Sequence, residues 1–172
     1  MMIPKFFNTA GPIKPEIHYN VDPLTRFNLE EILSLIDQQK YFVLHAPRQT
    51  GKTSCMLALR DYLNAQGRYY AVYTNVEAGQ ASRNKVEEVV RGIVNGICND
   101  LSLMIGEELP IKIKHKTIAE ETTNSLLSGY LSRLSRALDR PLLLFIDEID
   151  ALVGDSLVSV LRQIRSGYDK RP

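Results

Sequence analysis

A short apolar run, Tyr41-Phe-Val-Leu-His-Ala46, stops at Pro47, and helical spacing begins just after Gly51-Lys52-Thr53. A run of this kind between a helix and a turn reads as a buried strand. Beyond it, Met56, Leu59 and Leu63 recur at helical intervals until Gly67 stops them. The chain is thereby committed to a strand, a tight loop and a helix in immediate succession. The loop is Ala46-Pro-Arg-Gln-Thr-Gly-Lys-Thr53, which fits GxxxxGK[ST] except at its first position.

That pattern has a physical reason. A loop with little side-chain bulk lets successive backbone N–H groups converge on a phosphate, and the helix start adds partial positive charge. The candidate binding residues are Ala46, Pro47, Arg48, Gln49, Thr50, Gly51, Lys52, Thr53 and Ser54. Lys52 is expected to reach the β- and γ-phosphate oxygens as a catalytic group, and the Thr53 hydroxyl to ligate Mg²⁺. Ala46 replaces the usual glycine. If that position required φ > 0, alanine would cost about 1 kcal/mol, but a methyl group is the smallest possible change and tolerance is expected. Arg48 and Gln49 touch phosphate or face solvent with equal support. The competing account is a chance Gly-Lys-Thr at a helix start.

A second feature weighs against chance. Pro141 opens Leu142-Leu-Leu-Phe-Ile-Asp147, an apolar run ending in acid. An interior strand of this composition delivers its terminal carboxylate to the crevice where open α/β sheets bind ligands. Asp147 is the candidate metal ligand, and Glu148 the candidate catalytic base that polarises water. The alternative is a solvated acidic turn. Asp150 is a further polar group there or simply a helix-starting acid. His45 reads as the last residue of its strand; His18 and His115 suggest nothing.

Around these motifs the pattern is regular. Pro4, Pro12, Pro15 and Pro23 forbid a long element in residues 1–27, which read as an extended arm. Asn28 and Glu31 cap a helix expected to end near Lys40. Tyr69–Val76 reads as a strand. Helices are predicted over Val86–Ile105 and Ala119–Asp139, the latter opened by a capping box at Thr117–Glu120. Between them Ile111–Lys116 alternates apolar and basic residues and reads as a solvated edge or loop. A last helix carries Leu157, Val160, Leu161 and Ile164. The β-α-β-α-α-β-α alternation predicts a parallel sheet covered on both faces, with residues 28–172 forming one domain.

Composition removes other classes. At 172 residues, with 44% apolar and 24% charged side chains, the chain supports one domain with a sizeable core. A net charge of +1 gives no support to nucleic-acid binding. No apolar run is long enough to span a bilayer, and the first residues lack a signal-peptide pattern. Cys55 and Cys98 have no metal-site spacing and read as small buried hydrophobes. The cytoplasm is the expected compartment.

With both motifs placed, the chain resembles the P-loop ATPases of the AAA-like group. Its PRQTGKT loop and hhhhDE strand (h apolar) look closest to bacterial and archaeal ATP-binding proteins. The resemblance implies a three-layer α/β/α fold, ATP and Mg²⁺ as cofactors, and hydrolysis driven by Glu148. A GTPase is disfavoured because no NKxD-type motif is present. The group's sheet order is 5-1-4-3-2, so the resemblance also implies that strand 4, strand 5, the helical lid and any arginine finger are missing. The chain is therefore expected to be the N-terminal part of a longer ATPase, truncated after its third core strand. That ATPase would act on a protein partner or its own C-terminal part. The alternatives are a slow or non-hydrolysing nucleotide switch and a small-molecule phosphotransferase. Nothing in the sequence sets the oligomeric state.

Overall fold

The computed structural model describes residues 4–9, 14, 16–47, 49–82 and 84–168. They fall into two compact units, Met1–Tyr62 and Leu63–Pro172. The expectations for Pro12, Pro15 and Arg48 lie outside the described residues.

In the first unit the proline-rich arm turns back on itself. The Phe6 N–H donates to the Ile17 carbonyl at 3.1 Å, and the Tyr19 N–H to the Phe6 carbonyl at 3.0 Å. His18 is buried at this closure, where its Nδ1 accepts from the Lys14 N–H and its ring meets Phe6 edge-on. A 3-10 turn, Pro23–Arg26, follows, capped by Asp22 through the Leu24 N–H at 2.9 Å. Helix α1 (Leu29–Asp37) starts at Asn28, whose Oδ1 accepts from the Glu31 N–H. The Asn28 amide in turn donates to the Glu31 carboxylate, so the two side chains support each other. Ile32 and Ile36 form its buried stripe.

The run Tyr41–Ala46, expected as the first strand, is irregular. Tyr41 is 56% exposed and Val43 83% exposed. An extended segment without a neighbouring strand leaves its alternate backbone groups to water, and apolar composition alone cannot hold it in a sheet. Helix α2 (Lys52–Ala65) then begins inside the predicted loop motif, two residues before the expected Ser54.

The second unit holds β1 (Tyr70–Asn75), a short α3 (Gly79–Ser82), α4 (Val86–Ile105), α5 (Glu108–Glu120), α6 (Leu126–Ala137), β2 (Leu142–Asp147) and α7 (Gly154–Arg165). The strands pair in parallel, with Tyr70 opposite Leu142 and Asn75 opposite Asp147. One face of this ribbon presents Tyr70, Val72 and Val76 with Leu142, Leu144 and Ile146 to the core. Helix α4 packs on it with Val90, Val94, Ile97 and Leu101, spaced by three and four residues and fully or almost fully buried. Each such side chain contributes roughly 1.5–3 kcal/mol by leaving water. Gly96 allows the close approach: a Cβ there would stand 2.6 Å from the Thr74 hydroxyl.

The sheet stops at two strands among the described residues, and the chain is mostly helical. This overturns the three-layer α/β/α expectation. On β1 the reason is visible at its outer edge, where side chains occupy the groups a third strand would need. The Asn64 amide bonds both the N–H and the carbonyl of Ala71, each at 2.8 Å. The Asp100 carboxylate accepts from the Tyr73 N–H at 2.8 Å. An edge closed in this way cannot add a strand without losing those bonds.

Two further expectations fail for a local reason. Ile111–Lys116 lies within α5, where Pro110, Ile113 and Thr117 form the buried stripe at helical spacing. Six alternating residues satisfy both periods, and burial against α4 and α6 selects the helix. Thr117 therefore caps nothing. It is buried in the last turn of α5 and its hydroxyl donates to the Ile113 carbonyl at 2.7 Å. The single helix expected over Ala119–Asp139 is broken at Glu121, which is extended, and resumes at Leu126.

The restart depends on a side chain from α7. Buried Gln163 accepts from the Leu127 N–H at 2.8 Å and donates to the Thr123 carbonyl at 3.1 Å. Replacing Gln163 by alanine leaves a buried helix-start amide unpaired, at about 1–3 kcal/mol. The expected result is a thermal midpoint lowered by about 2–4 °C per kcal/mol for a chain of this size. An unchanged midpoint would show that the amide finds another partner.

Candidate functional site

The phosphate-loop sequence belongs to the first unit and keeps a tight, turned backbone. Gln49 has φ 60° and Gly51 φ 79°, both in the left-handed region. Glycine adopts that region freely, whereas glutamine does so at a cost. Thr50 Oγ1 donates to the Pro47 carbonyl at 2.8 Å, closing the turn from inside. Helix α2 starts at Lys52, and Lys52 Nζ folds back to donate to the Ala46 carbonyl at 3.1 Å. The ammonium group is thus held across the loop, from its eighth position's neighbour back to its first residue. Thr53 and Ser54 occupy the first turn of α2.

Arg26 joins this loop, and no local pattern predicts it. A Cβ on Gly51 would stand 2.6 Å from Arg26 Nη1, so the guanidinium lies directly over that glycine. Its position follows from the 3-10 turn that carries it. The Cys55 thiol, on the first turns of α2, donates to the Pro23 carbonyl at 3.5 Å. Burial pushes the Cys55 thiol up, and the nearby Arg26 charge pulls it partly back. Cys55 is therefore half-buried and acts as a tie between two segments of the loop's surroundings.

The acidic strand end belongs to the second unit. Asp147, the last residue of β2, is 5% exposed. Its Oδ2 accepts from the Tyr73 hydroxyl at 2.9 Å and its Oδ1 from the Glu148 N–H at 3.0 Å. Strand register explains the first contact. Tyr73 and Asp147 lie on the same face of the ribbon, and the tyrosine reaches diagonally past its direct partner Phe145. Burial, then the bond to Asp147, push the Tyr73 phenol up to about 12, so it remains a donor at neutral pH. Glu148 is exposed and left-handed, with φ 56°. Asp150 follows in a 3-10 turn, Ile149–Ala151, and is exposed.

Three non-glycine residues have positive φ among the described residues, and two of them, Gln49 and Glu148, sit in the two motifs. Such conformations cost of order 1–3 kcal/mol and persist where the surroundings impose them. His45 is exposed in the irregular run before the loop. His115 is exposed on α5 and Cys98 is buried in the core of the second unit. No three metal-binding side chains cluster among the described residues. Among those residues no helix is long and apolar enough to cross a membrane.

Neither the curated proteins nor the solved structures compared with this chain gave a match. A family model described as nephrocystin 3, N-terminal, matches residues 26–171, from the arginine over the loop to beyond the last helix. The chain belongs to the nephrocystin 3 N-terminal family.

Proposed function

We propose that this chain binds ATP with Mg²⁺ through Ala46–Thr53, and that hydrolysis of the nucleotide drives a conformational change. The observation that carries the reading is the loop itself: a left-handed Gly51, a helix opening at Lys52, and the Lys52 ammonium drawn across the loop to the Ala46 carbonyl. Amides and a cation gathered at a helix start are what a polyphosphate needs. The resemblance to AAA-like P-loop ATPases belongs with this reading, as does a cytoplasmic setting.

The donors on offer suit magnesium. Mg²⁺ is a hard cation that takes oxygen ligands and uses one or two protein groups beside phosphates and water. Thr53, in the first turn of α2 beside the loop, supplies such an oxygen as a hydroxyl. When bound, the ion would neutralise charge developing on the β- and γ-phosphate oxygens. Lys52 would bind those same oxygens and Thr53 would hold the ion; Glu148 is the candidate base.

The exposure of Glu148 favours a second reading, a switch that holds nucleotide and turns over slowly. A base in bulk-like solvent orients water less well than one fixed in a dry site. Steady-state turnover separates the two readings.

The first test is a calorimetric titration of Mg²⁺-ATP into the chain, with Mg²⁺-GTP alongside. Saturable uptake of the adenine nucleotide is expected. A folded chain that binds neither nucleotide overturns the proposal.

A further inference from the structure

Helix α7 (Gly154–Arg165) buries one side and is apolar on another. Ser156, Val160 and Gln163 face the core of the second unit and are almost fully buried. Two of these three are polar. The apolar residues gather elsewhere: Leu157, Leu161 and Ile164 follow one another at spacings of four and three, with Val158 beside them. At 3.6 residues per turn each residue advances by about 100°, so this stripe is centred about 100° from the buried side. Leu157 and Ile164 are half-buried at the rim of the core, while Val158 is 43% and Leu161 50% exposed. Single exposed apolar side chains are ordinary. Here they continue a stripe that starts at the core rim and runs for two turns.

The charges of α7 select what covers that stripe. Asp155 lies in its first turn, Arg162 and Arg165 in its last, and all three are exposed. Asp155 and Arg165 stand five residues to either side of Val160. Laid antiparallel against a second copy of itself, with a two-fold axis at the level of Val160, the helix brings Asp155 level with Arg165 of the second copy, twice over. Leu157, Leu161 and Ile164 of the two copies then meet between these pairs. Parallel packing would set like charges level with each other. The antiparallel arrangement also places each helix start beside the other helix's end, which the helix dipoles favour. A chain of net charge +1 brings little self-repulsion to the contact.

We propose that α7 is the contact surface of a two-fold dimer of this chain. It pairs antiparallel with α7 of a second copy through Leu157, Val158, Leu161 and Ile164, and the Asp155–Arg165 pairs fix its direction. A two-fold contact uses the same patch on both copies, so one self-complementary helix supplies both sides. One helix from each copy is at the low end of interface size, so the dimer is weak and depends on concentration.

Sedimentation velocity of the full chain, over a concentration series up to about 1 mM, reads the balance of monomer and dimer. The wild type is expected to pass from monomer to dimer within the series. Leu161→Glu puts a charge in the middle of the contact and is expected to stay monomeric throughout. Val158→Lys, at the second exposed position, is expected to do the same, so misfolding of one variant does not remove the test. Asp155→Arg or Arg165→Asp alone is expected to weaken the dimer by about 2- to 30-fold, since an exposed pair contributes modestly and symmetry counts it twice. The double exchange restores opposite charges and is expected to recover most of that loss. A wild type that stays monomeric overturns the proposal, as does a dimer that survives both Leu161→Glu and Val158→Lys. Loss in the single exchanges without recovery in the double overturns the antiparallel pairing. A circular-dichroism melt of each variant confirms that the chains compared are folded.

Discussion

Lys52→Ala is expected to weaken Mg²⁺-ATP binding by about 30- to 150-fold while leaving the chain folded. Charge-assisted hydrogen bonds contribute about 1.5–3 kcal/mol each, and a tenfold change in affinity is about 1.4 kcal/mol. A lysine reaching two phosphates stands at the upper end of that range. Alanine is at least as good a helix former as lysine, so the start of α2 is not weakened by propensity. The substitution also removes the bond from Lys52 Nζ to the Ala46 carbonyl, which is half-buried and therefore a minor loss. Melting temperature and helical content should change little. Calorimetric titration of wild type and variant decides the matter. Equal affinities would mean that the ammonium does not meet phosphate and that the loop binds, if at all, through its backbone alone. Lys52→Arg is a useful companion, because a forked guanidinium cannot replace a compact ammonium on a short loop.

How much of this was legible in the sequence divides by range of interaction. Features set within a few residues were readable: the Asn28–Glu31 cap, the turn at Gly51, and α4 over Val86–Ile105 all stand where pattern placed them. β1 and β2 were readable too, since their apolar runs are bounded by Gly67, Pro141 and the Asp-Glu pair. What failed depended on partners that local sequence does not name. Tyr41–Ala46 has a strand's composition and no neighbouring strand among the described residues. Ile111–Lys116 fits two periods, and only burial of Pro110, Ile113 and Thr117 chooses between them. Thr117 and Glu120 carry the spacing of a helix start but close a helix instead, because the Thr117 hydroxyl bonds backward to Ile113.

The candidate site follows the same division. The loop and Asp147 could be found by motif. Arg26 and Tyr73 could not, because one is brought to Gly51 by a separate turn tied through Cys55, and the other reaches Asp147 through strand register. Once the two runs are known to pair in parallel with Asn75 opposite Asp147, Tyr73 becomes the expected diagonal neighbour. Register was the missing signal.

The largest effect on stability should come from Tyr130. It is the largest fully buried side chain among the described residues, and it lies in the second unit's core with Val94, Cys98 and Leu134. Burial pushes its phenol up, so it stays neutral. Its hydroxyl donates to the Pro110 carbonyl at a long 3.4 Å, joining α6 to the start of α5. Tyr130→Ala removes a whole ring from a close-packed region, and aromatic truncations of this kind cost about 3–5 kcal/mol. At about 2–4 °C per kcal/mol, the thermal midpoint should fall by roughly 6–20 °C. Domains are stable by only about 5–15 kcal/mol, so this one truncation takes a large share of the total. Tyr130→Phe keeps the ring and loses the hydroxyl's bonds to the Pro110 carbonyl and the Cys98 thiol, for about 0.5–1.5 kcal/mol each or less. The chain has no tryptophan, so helical circular dichroism is the natural probe, and it reports chiefly on the helix-rich second unit. A large gap between the two variants would place the stabilisation in packing. Equal losses would place it in the hydroxyl and make the α5–α6 contact a polar tie. A small loss in both would mean that the cavity collapses and that the helices, rather than this ring, hold the core together.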